Sequence, residues 1–271
     1  MFKKRKLAIQ IKSAEQLDGM RAAGLVVAQT LERLTEAVKP GITTADLDDI
    51  AEDSIRSAGA TPSFKGYHGF PASICASVNE EIVHGIPRSS KVLRAGDIIS
   101  IDCGAIVDGW HGDAAVTVPV GEVAAELTRL LEVCEEALWR GLAAGTAGAR
   151  LTDISHAIET YVRSQGRYGI VEEYVGHGIG TEMHMDPPVP NYGKPGHGPE
   201  LERGMCFAVE PMVNLGGRET LLLDDDWTVV TEDGRPSAHF EHSFAVTEDG
   251  PWVLTALDGG ASRLGPLRVA R

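Results

Sequence analysis

Residues 98–116 read IISIDCGAIVDGWHGDAAV. Asp108-Gly109 sits between two apolar runs, a strong signal for a hairpin with a two-residue loop. With that loop Val107 faces Trp110, Gly104 faces Asp113 and Asp102 faces Ala115. Residues two apart share a strand face. Asp102 and Asp113 then become diagonal neighbours, about 7–8 Å apart at the backbone, and Gly104 keeps that face open. A three-residue loop would instead send the two aspartates to opposite faces. Ile98, Ile99 and Ile101 before Asp102, and Ala105, Ile106 and Val107 after it, describe a strand apolar on both faces, hence buried. A buried aspartate has to be paired, hydrogen-bonded or metal-bound. Two on one face repel, so one holds a proton unless a cation lies between them.

On the N-terminal side, apolar residues recur at helical spacing from Ala14 to Val38, and Lys39-Pro40-Gly41 stops the helix. Thr43 and Thr44 can cap a second helix, Ala45 to Ala58, closed by Gly59. The segments SICASV, DIISIDCGAIV and AAVTVPV follow as strands. Helices return over Glu122 to Leu142 and Leu151 to Ser164, and beyond Gly169 the pattern is again strands and loops. The order is helix–helix–strands, twice. An internal echo accompanies it: Ala45-Asp-Leu-Asp-Asp-Ile50 matches Ala149-Arg-Leu-Thr-Asp-Ile154 at four of six positions. This predicts an α+β fold of two similar halves, with a site at their junction.

A chain of 271 residues is long enough for a sizeable core. A net charge of −14 repels nucleic acid and anionic lipid, and neither is expected as a partner. No apolar run is long enough to predict a membrane span. The start, MFKKRKLAIQIKSAEQ, lacks the apolar core and cleavage site of a secretory signal. Lys3, Lys4, Arg5 and Lys6 form a short basic arm, ordinarily a frayed terminus. Cys75, Cys103, Cys134 and Cys206 are dispersed, without a CxxC pair. That argues against a zinc–thiolate site and for free thiols in a reducing cytoplasm.

Two glutamates stand in strand-like apolar stretches, Glu210 in MCFAVEPMV and Glu241 in AHFEHSFAV. Either alone could be a buried glutamate with an arginine partner. Together with Asp102 and Asp113 they carry −4, a charge that one pair of divalent cations neutralises. An oxygen-rich set with one imidazole suits Mn, Fe or Co. Two such cations generate hydroxide at neutral pH and clamp a carbonyl oxygen, the chemistry of two-metal hydrolysis. The stretch GHGIGTEMHMDP at 176–187 offers His177 and His184, seven apart in a glycine-broken loop. A helical ligand pair would be four apart, so spacing alone leaves open whether both ligate, one does, or neither does. His68, His111, His156, His197, His239 and His242 read as surface, packing or outer-sphere residues. His239 and His242 flank Glu241, which allows them an outer-sphere role.

CASVNEEIVHGIP at 75–87, Asp102 with Asp113, Gly176-His-Gly-Ile-Gly180, Glu210-Pro-Met-Val213 and Glu241-His-Ser resemble the type I methionine aminopeptidases in order and spacing, from about residue 13 to residue 255. The resemblance implies the pita-bread fold. One catalytic domain over 1–271 is expected, with halves of about 13–120 and 121–255 and an arm over 1–12. It implies two divalent metal ions, Co, Mn, Fe or Zn, on Asp102, Asp113, His177, Glu210 and Glu241, with Asp113 and Glu241 bridging. Glu210 would also move the proton from the attacking oxygen toward the leaving amine. His84 would hydrogen-bond the substrate near the scissile nitrogen, and His184 would stabilise the oxyanion. Tyr67, Phe70, Cys75 and Trp227 resemble the lining of a methionine pocket. Met183 and Met185 depart from many relatives, some of which carry Phe and Glu there.

The implied activity is removal of the initiator methionine from nascent polypeptides whose second residue is small and uncharged. It implies a cytoplasmic monomer, with the ribosome near its exit tunnel as a candidate partner of the basic arm. The rival readings are a prolidase or Xaa-Pro aminopeptidase, and a non-catalytic binding module on the same fold. The former generally carry a domain before the catalytic one, for which a pattern starting near residue 13 leaves no space. The 31-residue step from Glu210 to Glu241 excludes the helical insertion of type II enzymes. A binding module loses ligands, and all five are present.

Overall fold

The computed structural model describes residues 9–269; the basic cluster Lys3–Lys6 lies outside the described residues. Helix α1 spans Ala14–Ala37. Ser13 caps it and Gln16 completes a capping box, satisfying two otherwise orphaned donors. Helix α2, Thr44–Ser57, is opened in the same way by Thr43 and Asp46. Helices α3, Ala125–Ala144, and α4, Leu151–Gln165, form the second pair. A fifth helix, α5, covers Ala261–Val269. It is not expected from the sequence, because Pro266 and Gly265 interrupt a segment of low helical periodicity.

The hairpin forms as the sequence dictates. Asp108 and Gly109 both take positive φ, +49° and +81°, and strand Ile98–Val107 pairs with Trp110–Pro119. The register sets Val107 against Trp110, Gly104 against Asp113 and Asp102 against Ala115. Ile99, Ile101, Cys103 and Ala105 bury one strand face in a core shared with Val27, Leu31 and Leu34 of α1 and Leu47, Ala51 and Ile55 of α2. Asp102 and Gly104 therefore face the other way.

Around this hairpin the described residues build a curved antiparallel sheet of nine strands. Its order is Thr61–Pro62, Ile98–Val107, Trp110–Pro119, Glu241–Thr247, Cys206–Val209, Gly176–Gly178, Met185–Val189. Ile74–Val78 joins at Ile98–Val107 and Gly250–Val253 at Glu241–Thr247. The second core packs α3 and α4 residues such as Leu130, Leu142, Ile154 and Ile158 against Phe207, Val209, Phe244 and Val246.

Strand Trp110–Pro119 meets Glu241–Thr247 through only two backbone positions, Glu241 with Ala115 and His242 with Ala114. Buried hydroxyls reinforce this narrow junction. Ser243 Oγ accepts from Asp113 N–H at 3.2 Å and donates to Asp113 C=O at 2.8 Å. Thr117 Oγ1 does the same for His239, at 2.9 and 2.8 Å. Ahead of α1, residues 9–12 are docked as well. Lys12 N–H pairs with Gly204 C=O, and its buried Nζ donates to Ile179 C=O at 2.6 Å.

Ser243→Ala strands the Asp113 amide and carbonyl in a dry junction. It is expected to destabilise the fold by roughly 1–3 kcal/mol, read as a lower urea midpoint at unchanged slope.

Candidate metal centre

The register brings the acids together. Cys75 lies opposite Asp102, Asp102 opposite Ala115, and Ala115 opposite Glu241. Asp113 is two residues from Ala115 and shares its face. The small Ala115 leaves room for the carboxylates, whereas Gly104 does not keep its part of the face open as the sequence suggests: a Cβ there would stand 2.8 Å from both Ser63 and Phe64, which fill that space. Glu210 ends the strand Cys206–Val209, and its carbonyl is held by Asn191 Nδ2 at 3.0 Å. His177 enters from the next strand, opposite Ala208. Its neighbour Gly178 has to be glycine: a Cβ there would stand 2.4 Å from Asp186 O.

Nδ1 of His177 lies 3.0 Å from Gly178 C=O. The carbonyl can only accept, so Nδ1 carries the hydrogen and the Nε2 lone pair faces inward. That Nε2 stands 3.5 Å from Glu210 Oε1 and 3.9 Å from Asp113 Oδ2. Donor atoms of Asp113, His177 and Glu241 all fall within 4.8 Å of one another, the geometry of a metal-binding group.

Burial is the dominant electrostatic fact. It pushes the carboxyl groups of Asp113, Glu210 and Glu241 well above the usual carboxylate range, and their mutual repulsion adds to it. Asp102 is raised to about 7 by burial, opposed by a hydrogen bond with Asp113. Burial, with His184 nearby, lowers the His177 imidazole to about 3. The imidazole close to these acids is therefore neutral and available as a ligand.

Asp102 Oδ1, Asp113 Oδ1, Glu241 Oε1 and His239 Nε2 are sealed from solvent and have no hydrogen-bond partner among the described residues. Buried polar atoms are rarely left so. Oxygens that converge, repel and lack partners fit a divalent cation.

A cavity of about 530 Å³ opens over these groups. Every site residue expected from the sequence lines it: Tyr67, Phe70, Cys75, His84, Asp102, Asp113, His177, His184, Glu210, Trp227 and Glu241. On one side lies an apolar cluster of Phe64, Phe70, Ala72, Cys75 and Met183, with Tyr67 and Trp227 packed against it. His84 takes a left-handed backbone, φ +61°, and its ring meets Tyr174 and Trp227 edge-on. His184 is exposed at the rim, with Nδ1 2.9 Å from the Tyr67 hydroxyl and its ring 4.4 Å from that of His177.

A model of metallopeptidase family M24 matches residues 18–248. The chain belongs to metallopeptidase family M24. This M24 chain is 54% identical over 247 residues to a methionine aminopeptidase of Clostridium acetobutylicum, covering 91% of itself and 98% of that relative. The crystal structure of methionine aminopeptidase from Rickettsia prowazekii superposes with a TM-score of 0.89 at 44% identity, covering 91% of this chain and 99% of that one. The Xaa-Pro dipeptidase of Bacillus anthracis matches less well, with a TM-score of 0.71 at 25% identity. The match covers 90% of this chain and only 61% of that protein. The fold is the pita-bread fold, and a divalent-metal peptidase is the class that the family sets. Among the described residues no helix is long and apolar enough to cross a membrane.

The sequence does not single out Phe64 or Tyr174, reads His68 as a surface, packing or outer-sphere residue and allows His239 an outer-sphere role; all four line the cavity. His239 left the clearest trace, two residues before Glu241 in a stretch of alternating character. His242, on the other side of Glu241, points away: its Nδ1 meets Thr255 Oγ1 at 2.9 Å and its ring packs on Trp139.

Metal-free protein carries the cost of these acids as pH rises. Asp102 titrates near 4 when unfolded and at about 7 when folded. Between those values the folded state holds more protons, so stability falls with pH. Melting scans of the metal-free M24 chain should show loss on going from pH 5 to pH 8, on the order of a few kcal/mol at ~1.4 kcal/mol per pKa unit. Adding Mn2+ should restore more stability at pH 8 than at pH 5, because the cation displaces protons.

Proposed function

We propose that the chain removes the N-terminal methionine from polypeptides whose second residue is small and uncharged. We infer two divalent cations, drawn from Co, Mn, Fe and Zn, on Asp102, Asp113, His177, Glu210 and Glu241. The observation that carries this reading is the shared cavity: partnerless buried acid oxygens on one wall and an apolar cluster on the other. The cluster suits a methionine side chain, an unbranched apolar chain with a polarisable sulfur. The likeness to methionine aminopeptidases over nine-tenths of the chain supports the same substrate. The preference for a small second residue follows the resemblance drawn from the sequence.

When bound, the cations supply a nucleophilic oxygen at neutral pH and polarise the scissile carbonyl. The chain's own residues do the rest. Phe70, Cys75, Met183 and Trp227 hold the methionine side chain and exclude water. Glu210 accepts the proton of the attacking water and returns it to the leaving amine. A hydrogen bond donated by the Tyr67 hydroxyl to His184 Nδ1 leaves Nε2–H free to donate to the developing oxyanion. His84, half-buried with its ring against Tyr174 and Trp227, sits where it can hydrogen-bond the substrate near the scissile nitrogen.

Three peptides test the reading. With Mn or Co supplied, methionine should be released from Met-Gly-Met and not from Met-Lys-Met, and chelation should abolish release. Cleavage confined to Ala-Pro would overturn it in favour of a prolidase, and silence with every metal would favour a binding module. His184→Ala should lower kcat by about 10²–10³-fold, the scale of one lost oxyanion donor. Metal content measured by plasma emission should stay at the unaltered level in both His184→Ala and His84→Ala. Loss of metal in either would sink the division between ligands and substrate-facing histidines.

A further inference from the structure

His239 lies among the acids without a part in the hydrolysis outlined above. Its side chain is only 2% exposed, and Nε2 has no hydrogen-bond partner among the described residues. That nitrogen stands 4.0 Å from Glu210 Oε2 and 3.9 Å from Glu241 Oε2. The oxygens of Glu210 are thus divided: Oε1 turns to His177 and Oε2 to His239. Glu241 is divided in the same sense, with Oε2 toward His239 and Oε1 buried and partnerless.

The ring is held in this place by its backbone. Thr117 Oγ1 accepts from His239 N–H and gives its one proton to His239 C=O. Ser100 Oγ, 2.9 Å away, must therefore donate to Thr117. The strand Ser237–His239 also pairs with Met212–Asn214, His239 lying opposite Met212. An imidazole fixed this firmly, with a buried nitrogen unpaired, carries the desolvation cost of that nitrogen until a partner arrives. The only acceptors near that nitrogen in the described contacts are the two glutamate oxygens.

We propose that His239 is a positioning residue of the metal centre: its Nε2–H donates to the outer oxygens of Glu210 and Glu241 and turns their inner oxygens toward the cations. The proposal rests on the metal-dependent reading above. The gaps of 3.9 and 4.0 Å exceed a hydrogen bond. A charge-assisted N–H···O contact lies at about 2.7–2.9 Å, so each carboxylate has about 1 Å to travel. Outer-sphere donors of this kind orient ligating carboxylates.

The test compares Mn2+ binding by titration calorimetry in the full chain with His239→Leu and His239→Gln. Pulsed electron paramagnetic resonance of the Mn-loaded proteins counts the coupled imidazole nitrogens. His239→Leu should weaken Mn2+ by about 10–100-fold, the scale for a lost outer-sphere partner. His239→Gln keeps an N–H donor and should recover most of that loss. The imidazole coupling should be the same in all three proteins. Thr117→Val releases the backbone clamp and should weaken Mn2+ in the same direction, which serves if His239→Leu does not fold.

Unchanged affinity in the folded Leu variant, or in Thr117→Val, would overturn the proposal. So would equal weakening in Leu and Gln, which marks packing alone. Loss of a nitrogen coupling in His239→Leu would make the imidazole a direct ligand and overturn it too. Failure of the unaltered chain to bind Mn2+ would remove the metal reading itself, which separates that failure from this one.

Discussion

Four carboxyl groups, Asp113 and Glu241 buried and Asp102 and Glu210 half-buried, converge on one cavity wall, and they cannot all ionise there without a cation. The rest of the architecture reads as a means of holding them against that repulsion. Each sits at or beside a sheet strand, where backbone pairing fixes its height and direction. Three adjacent strands supply three of them, Asp102, Asp113 and Glu241, and the second and third of those strands meet at a junction only two residue pairs wide. Ser243 and Thr117 close that junction with hydroxyl clamps, each joining one half to the other.

Small residues are as much a part of the centre as the acids. Ala115 leaves the sheet face low beside the carboxylates, Gly104 lets Ser63 and Phe64 pack onto the strand, and glycine beside His177 lets the strand approach Asp186 closely. The docked segment at residues 9–12 adds a brace from outside. Lys12 fixes the Ile179 carbonyl, and Gln10 reaches Thr181, so the loop from His177 to His184 is tied at its middle. A loop carrying one metal-facing and one substrate-facing imidazole benefits from that rigidity, because both rings have to keep their separation of 4.4 Å.

The two walls of the cavity divide the chemistry. The acid wall suits cations and nothing apolar, and the wall of Phe64, Phe70, Cys75 and Met183 suits an unbranched thioether and excludes charge. Recognition and reaction are thereby fixed in one place by opposite physical demands. His84, lowered to about 4 by burial and the nearby His184, and His184, lowered by its loss of solvation and the nearby His68, lie between the walls and can donate or accept without adding charge.

Local chemistry made the hairpin legible from residues 98–116 alone, since Asp-Gly sets the turn and a period of two then sets which residues share a face. The same logic exposed Asp102, Asp113, Glu210 and Glu241 as acids in apolar strands. Spacing could not assign His177 and His184; a family resemblance did, and the structure adds that His177 is buried with its Nε2 turned inward. Helix α5 escaped because tertiary packing overrides its weak propensity: Leu264 is buried against the second core. For His239 the sequence allows an outer-sphere role but does not say which of the pair, His239 or His242, turns toward the acids. A sequence records that a histidine stands two places before a glutamate. It does not record that Thr117, more than a hundred residues earlier, pins that histidine's backbone so that its ring faces two acids. The sequence by itself determined which groups must avoid or share charge, because that depends on residue type and local period. Only the tertiary structure decided which of them meet, because that depends on registers and clamps between segments far apart in the chain.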